Sequence, residues 1–262
     1  MTLPAITPKQ RTIPPLLHQF RFLNNTHIQS LLHHKDEARI NIWLKDLTKK
    51  EYVKRIYDNT IVGKNRVPAI YYLAINGIRF LKEQGIRNRE ILNKLYYEKN
   101  RSESFINHCL FVATVCCQLD QKNTDGLTYT YTTEGDLSNP ENQFHFLKEN
   151  NVSFDLCFSK KQEGKDMQYY ILKLFDETLP KYRIQKQLRD LKEFYFSNEW
   201  ENNLQTSFPT ILLIGETKER MIYFKRYAKS IFEDEIEDIQ IHSAIVEDVR
   251  KESITGQIWE TI

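Results

Sequence analysis

Asp155, in "NVSFDLCF", and Lys173, in "YYILKLFDET", have the types and spacing that bear most directly on chemistry. An inward acid on one strand, followed by acid-x-Lys on the next, is a layout suited to metal-dependent cleavage of phosphodiesters. Two carboxylates share a divalent ion that polarises the phosphate and activates water, while the lysine steadies the developing charge. Magnesium requires hard oxygen ligands for this. The second strand here reads Ile171-Leu172-Lys173, so an isoleucine stands where the second acid belongs. A period-2 strand puts Ile171 and Lys173 on one face. The expected outcome is an Asp155–Lys173 ion pair or hydrogen bond in place of a metal. No catalytic residue and no metal ligand are expected; Asp155 and Lys173 are the vestige of a site. A displaced acid is the alternative, drawn from Asp176, Glu177, Glu134 or Asp136. Under that alternative alone a cofactor, Mg2+, is implied.

Other candidate ligands are weaker. Cys109, Cys116, Cys117 and Cys157 form no CxxC pair, and no histidine lies at zinc-finger spacing from them. Three fall in an apolar helical stretch, which reads as core packing. His33 and His34 are adjacent, and neighbours on a helix point apart; they read as a loop or helix end.

The strands that would carry Asp155 and Lys173 belong to a longer series. "SESFINHCLFVATVCCQLD" is a strongly apolar helix, and "LTYTYTTEG" alternates as a strand. Residues 181–199 form a basic amphipathic helix through Ile184, Leu188, Leu191 and Phe194. "FPTILLIGE" is an apolar strand of the kind buried on both faces. "KERMIYFKRYAKSIF" is a helix and "IQIHSAIVE" a last strand. The order αβββαβαβ implies a mixed sheet flanked by helices.

The net charge of +2 conceals a division. Residues 1–100 hold 18 Lys and Arg against 8 Asp and Glu, or +10, and the remainder carries −8. Such asymmetry suggests two modules, the first facing a polyanion. In that first module "PPLLHQFRFL" is a helix with prolines in its opening turn. A second short helix is capped by Asn24, Asn25 or Thr26. "KDEARINIWLKDLTKK" is a third, with Ile40, Trp43, Leu44 and Leu47 as its core stripe. Tyr52 to Tyr57 alternates as a strand, the loop "NTIVGKNRVP" carries Lys64 and Arg66, "AIYYLA" resumes the strand, and a helix closes at Gly85. Three helices, a hairpin with a basic tip and a closing helix make a winged helix-turn-helix. Its third helix would enter the major groove. Arg39, Asn41 and Lys45 are then the base or phosphate candidates, and Lys64 and Arg66 the phosphate candidates. The domain layout is residues 1–86 for the winged helix, 87–101 for a basic linker or bridging helix, and 102–262 for the α/β domain. No apolar run reaches the roughly 20 residues that span a bilayer, and no basic-then-apolar leader opens the chain; a cytoplasmic location is expected.

The second module's order resembles the restriction-endonuclease-like core. With the winged helix before it, the chain resembles the replication-relaxation family of plasmids and other mobile elements. The residues that carry this are "RTIPPLLHQFRFLNNTHIQSLL", "AIYYLAINGIRFL", "NHCLFVATVCCQL", "SFDLCF" and "YYILKLFDET". The departures are Phe154, where the family tends to have proline, and Ile171 and Lys173, neither of them acidic. The resemblance implies a DNA-binding accessory or initiator protein for replication or transfer, with a non-catalytic nuclease-like domain. It implies double-stranded DNA as partner, a replication, relaxase or recombination protein beside it, and a homodimer as one form. Two other functions stand: an active nuclease with a displaced acid, and a winged-helix transcriptional regulator whose second domain dimerises.

Overall fold

The computed structural model describes residues 2–56, 68–86, 89–233 and 239–262. The chain forms two compact units, Met1–Cys117 and Gln118–Ile262. Among the described residues no helix is long and apolar enough to cross a membrane.

In the first unit α1 (Ile13–Phe20) begins with prolines at its first positions, where a missing N–H costs nothing. It ends at Arg21, whose φ of 68° turns the chain. The helix expected to run to Leu23 is therefore shorter: Leu23–Asn24 is a strand, β1, paired antiparallel with β3 (Ile70–Leu73). Asn24 then caps α2 (Asn25–Leu31), its side chain accepting from the His27 amide. Asp36 caps α3 (Glu37–Lys49) in the same way through the Arg39 amide. β2 (Val53–Ile56) pairs antiparallel with β3, giving the order β1-β3-β2. α4 (Ile75–Glu83) packs close under this sheet. A Cβ on Gly77 would lie 2.2 Å from the Tyr52 carbonyl oxygen, so only glycine permits the approach. α5 (Arg89–Leu95) and α6 (Glu103–Gln121) follow. α6, assigned from sequence to the start of the second module, has most of its length in the first unit and its last residues in the second.

Glu98, buried, and His27, partly buried, are polar groups set against this unit's core. Arg21 forms an ion pair with Glu98, which is 1% exposed. The Arg21 and Arg101 guanidinium groups lie 5.2 and 4.9 Å from the centroid of the Phe105 ring. Burial pushes the Glu98 carboxyl up, and Arg21 opposes this. The other group is His27. The Thr114 hydroxyl donates to the Leu110 carbonyl, so His27 Nε2, 3.0 Å away, is the donor to Thr114. That leaves Nδ1 bare, buried and without a partner.

In the second unit six strands form one sheet: β4 (Leu127–Thr133), β5 (Leu156–Gln162), β6 (Gln168–Phe175), β7 (Thr210–Gly215), β8 (Ile241–Ile245) and β9 (Glu260–Thr261). Their spatial order is their chain order. β4-β5-β6 is an antiparallel meander, β6-β7-β8 is parallel, and β9 closes the edge antiparallel. The parallel steps are made through α8 (Lys181–Phe196) and α10 (Lys218–Ile231), which cover one face. Ile184, Leu188, Leu191 and Phe194 of α8 and Met221, Phe224 and Ala228 of α10 bury against Ile171, Phe175, Ile211 and Ile241. The mixed sheet and the expected element order are both present. Sequence periodicity missed α7 (His145–Glu149), α9 (Glu199–Leu204), α11 (Val246–Glu252) and β9, each of two to seven residues. The four cysteines are buried and form no disulfide, and burial pushes the Cys157 thiol up.

His27 sets a pH dependence. Burial holds its imidazole at about 4, below the ordinary 6.5. The folded chain thus keeps it neutral while the unfolded chain protonates it. Stability attributable to His27 is full above pH 6.5, falls as pH drops, and levels off below 4. The loss should total about 3–4 kcal/mol. Urea unfolding of the wild type and His27→Gln across this range should show the difference between them shrinking as pH falls. Gly77→Ala should cost more than about 2 kcal/mol at any pH, read as a lowered urea midpoint.

Candidate nucleic-acid interface

α3 presents its buried stripe, Ile40, Leu44 and Leu47, to the core. Trp43, expected in that stripe, is only half-buried and packs edge-on against His34, with ring centroids 5.0 Å apart. His33 and His34 do lie at a helix end: their amides bond back to the carbonyls of Ser30 and Gln29. Arg39, Asn41 and Lys45 are exposed on the outer side of α3. They divide between two depressions. Arg39 lines one with Lys9, His34, Asp36 and Trp43. Asn41 and Lys45, one helical turn apart, line a groove of about 980 Å³ between α3 and the β2–β3 pair. Asn41 Oδ1 accepts from Asn25 Nδ2 at 3.3 Å, which orients its amide. Lys64 and Arg66 lie outside the described residues.

The structure adds residues that the sequence reading passed over. Lys54 and Arg55 are exposed on β2 and line the same groove, opposite Lys45. The Arg55 guanidinium lies 5.8 Å from the centroid of the Tyr71 ring across the hairpin. Their place in "EYVKRIYD", on a strand leading into a basic loop, was the available signal. Ile42 is the second: it stands between the two depressions and is 59% exposed. An apolar side chain that remains in water amid Arg39, Asn41 and Lys45 has no packing role. Asp46, by contrast, is occupied. The Lys50 ammonium and the Gln10 amide donate to it and hold its carboxyl below the ordinary range.

Asp155 and Lys173 are in contact. Leu156 faces Leu172 across the β5–β6 ladder, so Asp155, one residue before β5, falls opposite Lys173. Lys173 Nζ donates to Asp155 Oδ1 at 3.0 Å. The Leu174 amide donates to Oδ2 at 2.6 Å, and the Asp155 amide donates to the Leu172 carbonyl at 2.9 Å. The carboxylate thus continues the ladder past the point where β5 begins. Ile171, at the missing acid's position, lies in a row with Cys157, Ile211 and Ile241, all buried. Among the described residues no group of three or more His, Cys, Asp or Glu is arranged to hold a metal ion. Two of the candidate replacements are engaged elsewhere: Asp136 accepts from the Thr133 amide and hydroxyl, and Asp176 accepts from those of Thr178. A divalent ion does not fit this donor set: one carboxylate with a cation on it, beside an isoleucine, gives magnesium too few oxygens to replace its waters.

Breaking the pair from its two ends should cost unequally. Asp155→Ala strands a mostly buried ammonium and the Leu174 amide, and should destabilise by about 3–5 kcal/mol. Lys173→Met leaves Asp155 its amide donor and should cost about 1–2 kcal/mol. Denaturant titration of both variants measures the order; equal losses would mean that the Leu174 amide contributes nothing.

No curated protein matches the chain, and no solved structure does. The model of the replication-relaxation family matches residues 15–137, which take in α1 to α6, β4 and the turn after it. Over those residues, just under half of its length, the chain is similar to the replication-relaxation family.

Proposed function

We propose that the chain is a DNA-binding accessory or initiator protein for the replication or transfer of a plasmid or other mobile element. The family match supports the replication theme. The observation that carries DNA binding is the groove between α3 and the β2–β3 hairpin, with Lys45 on one side and Lys54 and Arg55 on the other. In this reading the first unit is a winged helix. α3 enters the major groove, and the hairpin lies along the backbone. The 19 basic and 9 acidic residues of Met1–Cys117 give this unit +10, which suits a polyanion. Arg39 and Asn41 read base edges: arginine suits the O6 and N7 of guanine, and asparagine the N6 and N7 of adenine. Ile42, between them, suits a thymine methyl. Lys45, Lys54, Arg55, Lys64 and Arg66 neutralise phosphates. The second unit is a nuclease-like domain without hydrolytic activity, because the position of its second acid belongs to Ile171.

The full chain should bind duplex DNA with strong salt dependence. Contact with about four to six phosphates gives a slope of log K against log salt of roughly −4 to −5. A flat response would refute the reading. On duplexes selected by the protein from a random pool, Arg39→Ala and Asn41→Ala should relax preference at one base pair each by about 1–3 kcal/mol. Lys54→Ala and Arg55→Ala should weaken all sequences alike. Replacing thymine by deoxyuridine should lose affinity for the wild type and not for Ile42→Ala. Supercoiled plasmid should survive incubation with Mg2+ or Mn2+. Sequencing of DNA bound in cells separates a replication or transfer origin from a promoter.

A further inference from the structure

The charge of the second unit is segregated. Gln118–Ile262 holds 18 basic and 26 acidic residues, a balance of −8. α8 and α10 together contain ten of the basic residues and three of the acidic ones, or +7. The rest of the unit is then left with −15. A random scatter of surface charge would not put more than half of the cations on two neighbouring helices of an acidic body.

These helices run in parallel over the same face of the sheet, and their shared edge is lined with cations and tyrosines. Gln185 donates to the Tyr223 hydroxyl at 3.0 Å, and Arg189 to that of Tyr227 at 2.7 Å. Lys181 Nζ lies 5.0 Å from the centroid of the Tyr223 ring. Each contact fixes a long side chain at the seam and lowers the entropy lost when it binds an anion. Lys181, Arg183, Arg189, Arg226 and Lys229 form no ion pair with any acid among the described residues, whereas Lys186 pairs with Asp190 and Lys225 with Glu260. Tyr182 stands beside them, 63% exposed.

We infer that the α8–α10 seam is a second nucleic-acid surface, which binds the phosphate backbone of duplex DNA without reading sequence. The charge sign selects a polyanion. The spread of cations over two parallel helices suits a regular line of phosphates better than one compact phosphate group. Duplex rather than single strand is indicated because the tyrosines at the seam are already engaged: Tyr223 and Tyr227 by their hydroxyls, and the Tyr223 ring by Lys181. Among the seam tyrosines only Tyr182 keeps an open ring, too few for the stacking of successive bases that holds single strands. This surface stands on the second unit's own residues and does not depend on the winged-helix reading of the first.

Lysine footprinting of the full chain tests it. The protein is treated with an acetylating reagent, with and without a 30-base-pair random-sequence duplex at low salt, and each lysine is read by mass spectrometry. Lys181 and Lys229 should be protected several-fold by the duplex, and Lys148 and Lys160, outside the two helices, should not. In parallel, Lys181→Gln/Arg189→Gln/Arg226→Gln should make the salt slope shallower by about 2–3, as expected for three lost phosphate contacts, with an unchanged thermal unfolding midpoint. Protection of Lys45 and Lys54 with none at Lys181 and Lys229 would overturn this surface and leave the winged-helix reading standing. Protection of Lys181 and Lys229 alone would do the reverse. Protection that a single strand produces and the duplex does not would overturn the inference, as would an unchanged slope in the triple variant.

Discussion

One carboxylate completes the β5–β6 ladder at the end where β5 begins. Asp155 accepts from Lys173 with one oxygen and from the Leu174 amide with the other, and its own amide bonds to Leu172. It stands at the point where β5 begins and β6 still has amides to satisfy, so the side chain supplies the acceptor that a longer β5 would have given as a carbonyl. A buried charge must be paired to persist, and Lys173 meets that need. The same arrangement sets a cation on the carboxylate where this layout would otherwise place a metal ion. An aspartate that completes a strand ladder and neutralises a lysine would meet a divalent ion only in competition with that cation. Ile171, in a four-strand row of buried apolar groups, makes the neighbouring position dry. Structural use of the carboxylate and loss of the second acid are consistent with one another.

The first unit divides its side chains in a comparable way. Its interior takes the expensive polar groups in satisfied or neutral form: Glu98 with Arg21, and His27 as an uncharged imidazole. The cations at the α3–hairpin groove remain in water. A long-range attraction for a polyanion needs exposed charge of one sign, and both the α3 groove and the α8–α10 seam have that property. Their construction differs. α3 offers a mixed surface of arginine, amide and an exposed isoleucine, the varied chemistry that base edges require. The seam offers almost uniform cations.

Much of this was legible in the sequence. The Asp155–Lys173 contact followed from strand period and spacing, because a period-2 strand leaves few choices of partner. The sheet's element order followed from long apolar runs such as "FPTILLIGE". The misses have physical causes. β1 has two residues and α7 five, too short for any periodicity to develop. Leu23 continued the apolar stripe of α1, and only the left-handed turn at Arg21 ends that helix. Trp43 fits the α3 stripe by spacing, yet its ring is drawn aside to His34, a residue from before the helix. Lys54 and Arg55 were visible as residues but not as groove walls, since the groove exists only once β2 lies opposite α3. The seam was half visible: α8 was recognised as basic, but its pairing with α10 comes from the parallel crossover.

The identity of spatial and chain order in the sheet bears on how the protein is made. Each strand from β4 to β9 lies beside the one synthesised just before it. No strand has to wait for a distant segment, and none must be inserted between two that are already paired. Loop closure is short between β5 and β6; elsewhere helices are interposed, α7 before β5 and α8 and α10 in the parallel steps, and can form locally while the next strand is awaited. The sheet can grow by accretion as the chain leaves the ribosome, with β4 as its fixed edge and the latest strand as its growing one. β9, two residues long, ends that growth with too little edge to recruit another strand.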